Sequence, residues 1–287
     1  MATIITNQAQ VNFSYGSRTG SAASNIATTT LQDPFTVSKN SLETTYRQGQ
    51  QITYILAMNN SGAAALTNVV IVDNLGTQSL GSINVTPLDY TGPARLYING
   101  VFVSTLTPVV GADTVTFTIA ALPAQSNAMI IYAATVNSFA GLAPGSQITN
   151  QSTWTATGLT ERATASNVIT VDAYADVRIT KAMSPNPVIT GSRLTYLFIM
   201  YNYGNTPAAN AVLTDTFTPP PSSIAVQVNG TAIPATEFTF LAGTLTLPSP
   251  GSAFVLSIPA ATFTRNPSTG IVTVSPGTTT VEVTGII

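Results

Sequence analysis

The chain has 287 residues, enough for two domains of ordinary size that each bury a core. Only 7% of residues are charged, against about 25% in a typical soluble domain. The net charge of −2 leaves no basic surface for nucleic acid or anionic lipid. Cysteine and histidine are both absent, which excludes disulfides, thiolate metal sites and the commonest general base.

The composition is dominated by Thr, Val, Ile, Ala, Asn and Ser, with frequent Gly and Pro. That mixture of β-branched residues and turn formers predicts an all-β protein. The first residues show no basic stretch followed by an apolar run, so no signal peptide is read there. Release by lysis of the producing cell and prior removal of a leader both fit this reading. No apolar stretch approaches the length that spans a bilayer, so membrane insertion is not expected.

Residues 1–32 read as an N-terminal arm. Ile5, Asn7, Ala9, Val11, Phe13 and Tyr15 alternate with Thr6, Gln8, Gln10, Asn12 and Ser14. A period of two predicts a half-buried strand. Residues 16–20 read as a turn and residues 24–31 as a second strand. A lone hairpin is marginal in water, so the arm needs a sheet to join.

Asp33-Pro34 breaks the pattern and opens a first repeat over 33–172. Phe35, Val37 and Lys39 share one face of its first strand. Further strands are predicted around 52–58, 69–72, 95–104, 114–119 and 128–136, with turns at Asn60-Ser61-Gly62, Asn99-Gly100 and Pro144-Gly145. A hairpin over 148–171 completes the unit.

A second repeat covers 173–287. Val177, Ile179 and Lys181 match Phe35, Val37 and Lys39 at an offset of 142 residues (181 against 39). Gly191, Tyr196, Asn202, Gly204, Asn210 and Asp215 match Gly49, Tyr54, Asn60, Gly62, Asn68 and Asp73. Asn229-Gly230 and Pro276-Gly277 match Asn99-Gly100 and Pro144-Gly145 at slightly shorter offsets. Short strands at this density, separated by Gly, Pro and Asn turns, predict two tandem immunoglobulin-like β-sandwiches.

The arm repeats the closing hairpin of the first unit. Ile5-Thr6-Asn7-Gln8 recurs as Ile148-Thr149-Asn150-Gln151, and Ser24-Asn25 recurs as Ser166-Asn167. The second repeat shows no such hairpin after Pro276-Gly277, so it is expected to be incomplete and to expose an apolar groove with unpaired strand edges. Donor-strand complementation resolves the mismatch: Ile5, Ala9, Val11, Phe13 and Tyr15 of one copy fill the groove of the next by β-augmentation. Such a contact is head-to-tail and gives an open filament unless its rotation closes a ring. Burying these side chains at roughly 1.5–3 kcal/mol each yields on the order of 10 kcal/mol gross. Ordering the arm offsets part of that gain. The alternatives are an arm folded back on its own second domain, packed on the first, or disordered.

The repeat resembles the conserved-repeat domain of unknown function found in many bacterial and archaeal cell-surface proteins. The likeness rests on Val177-Arg178-Ile179-Thr180-Lys181, on Gly191 with Leu194-Thr195-Tyr196, and on Asn202-Tyr203-Gly204, Asn210 and Leu213-Thr214-Asp215. The first repeat carries a weaker form of the motif over 36–73. The resemblance implies an immunoglobulin-like surface or fibre module and no activity. Chains that start and end out of register with their domains are also similar in architecture to spore-appendage and pilus subunits.

Lys39 and Lys181, the two lysines of the chain, occupy the same repeat position on the apolar face of a strand. A buried lysine needs a partner. Asp73 and Asp215 recur at matched positions, as do Asn7 with Asn150 and Asn25 with Asn167. Lysine, asparagine and a nearby carboxylate are the three groups a self-forming isopeptide bond requires. Lys39 would join Asn150 or Asn167, and Lys181 would join Asn7 or Asn25 of a neighbouring copy. The plainer reading of each lysine is a buried or rim ion pair with its aspartate.

No phosphate-binding glycine loop, nucleophile elbow or metal-ligand cluster appears, and most of the acids fall singly in turns, so no enzymatic activity, cofactor or metal is expected. Trp154 follows the inward pattern of its strand and is expected in the core. Together these features predict a structural subunit of an extracellular cell- or spore-surface fibre. Its partners would be further copies of itself in a homopolymer and a surface anchor protein. The alternative is an adhesive or ligand-binding surface module, or a phage or virion surface protein.

Overall fold

A computed structural model describes residues 3–31 and 34–287, and the break expected at Asp33 lies outside them. The described residues are strands and turns throughout, in three consecutive parts.

The arm is one long antiparallel hairpin. β1 (Thr3–Asn7) and β2 (Gln10–Tyr15) run out to a turn, and β3 (Arg18–Ala23) and β4 (Ala27–Leu31) return. β1 pairs with β4 and β2 with β3. The turn is only Gly16-Ser17, with Gly16 in the left-handed region at φ +58° that a two-residue hairpin loop favours. The expected five-residue turn is therefore corrected: Arg18, Thr19 and Gly20 belong to β3. Gly20 pairs with Phe13 in this ladder, and the Phe13 ring crosses it 2.7 Å from where a Cβ would stand, which leaves room for glycine alone. The second strand is likewise shorter than expected, because residues 24–26 break the ladder opposite Gln8 and Ala9.

The first sandwich opens with β5 (Phe35–Ser41), the short β6 (Thr45–Tyr46), β7 (Gln51–Asn60) and β8 (Leu66–Asp73). A short excursion follows in β9 (Gln78–Leu80), β10 (Ile83–Val85) and β11 (Leu88–Tyr90). Next come β12 (Ala94–Ile98), β13 (Val101–Leu106), β14 (Val109–Val110), β15 (Val115–Leu122) and β16 (Ser126–Val136). The hairpin of β17 (Gln147–Thr157) and β18 (Ala163–Val171) closes the unit. One sheet has the order β13-β12-β16-β7-β5, with β11 also on β16; the other is β14-β15-β8-β17-β18-β6. The alternating inward residues of both sheets meet in one core that includes Tyr54, Ile71, Phe117, Ile130, Tyr132 and Trp154.

The second sandwich begins with β19 (Val177–Ser184), β20 (Arg193–Asn202), β21 (Ala208–Ala211) and β22 (Leu213–Thr216). It continues through β23 (Ser222–Val228), β24 (Thr231–Ile233), β25 (Thr239–Leu241) and β26 (Thr244–Leu247). It ends with β27 (Leu256–Ile258), β28 (Thr262–Arg265), β29 (Val272–Ser275) and β30 (Gly277–Ile286). The main sheet has the order β19-β20-β30-β23-β24, and β22-β26-β25 faces it across a smaller core. Among the described residues no helix is long and apolar enough to cross a membrane.

The pairing corrects one expected match. β30 lies between β20 and β23, as β16 lies between β7 and β12. The Asn99 side chain and backbone clamp Asn127 of β16 at 3.0 and 2.9 Å, and Asn229 clamps Thr280 of β30 in the same way at 2.9 and 3.0 Å. Pro276-Gly277 thus begins the counterpart of β16, not the turn that precedes β17. A Pro-Gly pair signals a turn wherever one is needed, so it aligns turns that differ in place.

The two sandwiches are joined directly. Asn205 Nδ2 donates to the carbonyls of Leu142 and Asp172 at 3.1 and 2.8 Å, and Arg265 Nη1 donates to Phe139 O at 2.8 Å. Phe263 and Val274, from β28 and β29, pack against the core of the first unit.

Candidate functional site

In β5 alternate residues turn inward, burying Phe35 and Lys39 and half-burying Val37. Asp73 ends β8 in the opposite sheet, and its Oδ2 is ion-paired with Lys39 Nζ, both side chains being fully buried. Lys39 Nζ also lies 5.1 Å over the Tyr54 ring. Asp73 is held from two further directions: Tyr132 OH donates to Oδ2 at 2.5 Å, and Leu75 N donates to Oδ1 at 3.0 Å. Tyr132 stacks on Tyr54, with ring centroids 5.4 Å apart.

β17 contributes the remaining group. Its inward residues are Ile148, Asn150, Ser152 and Trp154. Asn150 is fully buried and its Nδ2 donates to Tyr132 OH at 3.2 Å. Asn150 Oδ1 and Tyr54 OH make no hydrogen bond of acceptable geometry. An unsatisfied buried amide oxygen costs about 1–3 kcal/mol, so its position calls for a reason.

Burial sets the electrostatics. Removing an ammonium from water disfavours its charged form, and burial lowers the Lys39 amine to about 8 even though Asp73 pulls the other way. Burial, reinforced by the charge of Asp73, pushes the Tyr132 hydroxyl well above its ordinary range. Tyr132 is therefore a neutral donor between the carboxylate and the amide.

The second sandwich repeats half of this cluster. Lys181 Nζ donates to Asp215 Oδ2 at 2.6 Å and lies 5.2–5.4 Å over the rings of Tyr196, Phe198 and Phe217. Here the lysine side chain is 38% exposed and the aspartate 18%. Tyr196 faces Val283 where Tyr54 faces Tyr132, so the bridging hydroxyl is missing. Among the described residues no asparagine takes the place of Asn150.

The strand pairing explains the difference. In the first unit β8 carries β15 on one edge and β17 on the other; in the second, β22 pairs with β26 and no described strand takes its other edge. Every residue of β19 is exposed, including Val177, Ile179 and Met183, whereas β5 is covered. β18 reaches β5 at its rim, where Ser41 Oγ donates to Asn167 Oδ1 at 2.9 Å. Asn167 is thereby bonded to Ser41, whereas Asn150 is bonded to Tyr132 and through it to the carboxylate of Asp73. Of the two candidates for Lys39, the fold brings Asn150 to the amine's cluster and leaves Asn167 outside.

The arm is not folded back on either sandwich. Ile5, Asn7, Ala9, Val11, Phe13 and Tyr15 are all exposed, Val11 to 58%. Asn7 faces Ala27 across the hairpin, and Asn25 lies in the break between β3 and β4. Neither hydrogen-bonds to Lys181 or Asp215. Sequence reasoning missed Tyr132, which has no repeat counterpart; the matched Tyr54 and Tyr196 were the available signal that a tyrosine pair belongs here.

No protein-family model matches the sequence, and no curated protein matches it. Among solved structures the chain is similar to the major pilin subunit BcpA of Bacillus cereus, at 12% identity and a TM-score of 0.35, covering 86% of this chain and 66% of that one. It is similar to the 35 kDa C-terminal fragment of the major pilin GBS80 of Streptococcus agalactiae, at 11% identity and a TM-score of 0.35, with 79% of each chain covered. It is also similar to the pilus backbone protein RrgB of Streptococcus pneumoniae, at 11% identity and a TM-score of 0.33, covering 84% of this chain and 55% of that one. The chain thus spans just under two thirds of the length of the Bacillus cereus pilin.

Proposed function

We propose that this protein is a structural subunit of an extracellular fibre of pilus or spore-appendage type, polymerised head-to-tail by donor-strand complementation. The observation that carries this reading is the unpaired edge of β22 beside an exposed β19, set against an exposed arm whose sequence matches β17 and β18. β17 fills that edge in the first unit with Ile148, Asn150, Ser152 and Trp154; the arm offers Ile5, Asn7, Ala9 and Val11 in the same order. Added strands gain affinity from main-chain pairing and specificity from alternate side chains. The contact joins different surfaces of successive copies, so it propagates.

Electron microscopy of the purified full chain tests this reading. Filaments should form with no added partner, and deletion of residues 1–32 should leave dispersed subunits. An adhesive module would keep its fold and its ligand without the arm. A chain that stays monomeric at every concentration overturns the fibre reading.

A further inference from the structure

We propose that Lys39 and Asn150 join in an amide bond within the first sandwich, made by the protein's own side chains. The nucleophile, the acid–base group and the electrophile share one buried cluster. Lys39 Nζ is paired with Asp73 Oδ2, Asp73 is bonded to Tyr132, and Tyr132 accepts from Asn150 Nδ2. The carbonyl oxygen of Asn150 has no partner, so it is free to take a proton during attack. Lys39 and Asn150 also share a neighbour in Tyr54: the amine lies over its ring and the amide beside its hydroxyl.

The step balances without an oxidant or co-reactant. Asp73 takes a proton from the Lys39 ammonium, and the neutral amine attacks Cγ of Asn150. The proton on Asp73 passes to the amide oxygen as the Nζ–Cγ bond forms. Collapse of the tetrahedral centre re-forms the carbonyl, returns its hydroxyl proton to Asp73 and breaks the Cγ–Nδ2 bond. The proton shed by Nζ reaches the departing nitrogen through Asp73, and one ammonia leaves. The product staples β5 of one sheet to β17 of the other.

The same chemistry extends to Lys181 and Asp215, with Asn7 of a neighbouring copy as the electrophile; this extension rests on the fibre reading. Asn7 matches Asn150, and the second sandwich supplies the lysine and the aspartate without the amide.

Intact mass under denaturing conditions tests the first bond. The full chain should weigh about 17 Da less than its sequence, one ammonia being lost. Fragmentation should show Lys39 and Asn150 in one branched peptide. Lys39→Arg keeps a cation for Asp73 but removes the nucleophile, and it should restore the full mass in a folded protein whose Trp154 emission remains that of a buried indole. A folded wild-type chain of unshifted mass overturns the proposal. For the extension, filaments should survive boiling in detergent as a covalent ladder that Asn7→Ala abolishes. Filaments that dissolve to single chains reject the second bond and leave the fibre reading standing. If no filaments form, the fibre reading and the second bond fall together, and the first bond is judged on mass alone.

Discussion

Lys39 and Lys181 occupy equivalent positions in two copies of one fold, yet Lys39 is fully buried against Asp73 while Lys181 keeps 38% of its side chain exposed beside Asp215. The difference does not come from the strands that carry them, which match. It comes from β17 and β18, which cover the first lysine and have no counterpart over the second among the described residues.

The two ion pairs should therefore respond differently to the same substitution. Asp73→Ala strands a buried ammonium and also removes the acid–base group of the proposed amide bond, so it should cost at least about 3–5 kcal/mol. Asp215→Ala removes a partly solvated pair and should cost about 1 kcal/mol or less in the free subunit. Urea titration of the two variants measures both. Equal costs would mean that β17 and β18 do not set the environment of Lys39.

Trp154 is the one tryptophan of the chain and is fully buried in the first sandwich. Its emission should report that unit alone. The second core is smaller and its β19 is exposed throughout, so far-UV circular dichroism of dispersed subunits should show a transition at lower urea that fluorescence does not see. Coincident transitions would show that the joint through Asn205 and Arg265 couples the two units into one cooperative block.

Ala9 matches Ser152, a small residue with no exposed surface in the first sandwich. Ala9→Phe adds bulk at an exposed site in the free arm and should leave subunit stability within about 0.5 kcal/mol. In the acceptor groove the same ring overpacks, at a cost of about 1–3 kcal/mol. Filament yield should fall steeply, as read by sedimentation. Unchanged assembly would place a different face of the arm in the groove.

The register of the donor strand can be trapped. Thr153 pairs with Val72 in the first unit, which places Gln10 opposite Thr214 of a neighbour. A chain carrying Gln10→Cys and Thr214→Cys, in a protein that has no cysteine of its own, should give a disulfide-linked ladder on oxidation. Moving one cysteine by a single residue should abolish it, since a one-residue slip turns every side chain to the other face.

Hydrogen exchange distinguishes free from assembled copies. Amides of β22 on its open edge should exchange quickly in dispersed subunits and become protected in filaments, because an unpaired edge gains hydrogen bonds only when a strand is added. Protection already present in dispersed subunits would contradict the open edge.

Much of this protein was legible in its sequence. Period-two alternation from Ile5 to Tyr15 pointed to one half-buried strand, which the structure divides into β1 and β2 at Gln8 and Ala9 and leaves exposed on both faces. The recurrence of Lys, Tyr, Asn, Gly and Asp at one spacing pointed to two copies of a sandwich. The match of Ile5-Thr6-Asn7-Gln8 to the closing hairpin is one of sequence, since Asn150 pairs with Asn167 whereas Asn7 pairs with Ala27. These are local signals, carried by side-chain type and short spacing. Tertiary structure alone decided that Asn150 and not Asn167 enters the hydrogen-bonded cluster of Lys39, that Tyr132 bridges amide and carboxylate, and that β30 takes the place of β16. Each of those depends on which strands pair and in what register, and that is set by contacts between residues far apart in the chain, where a shift of one position exchanges the buried face for the exposed one.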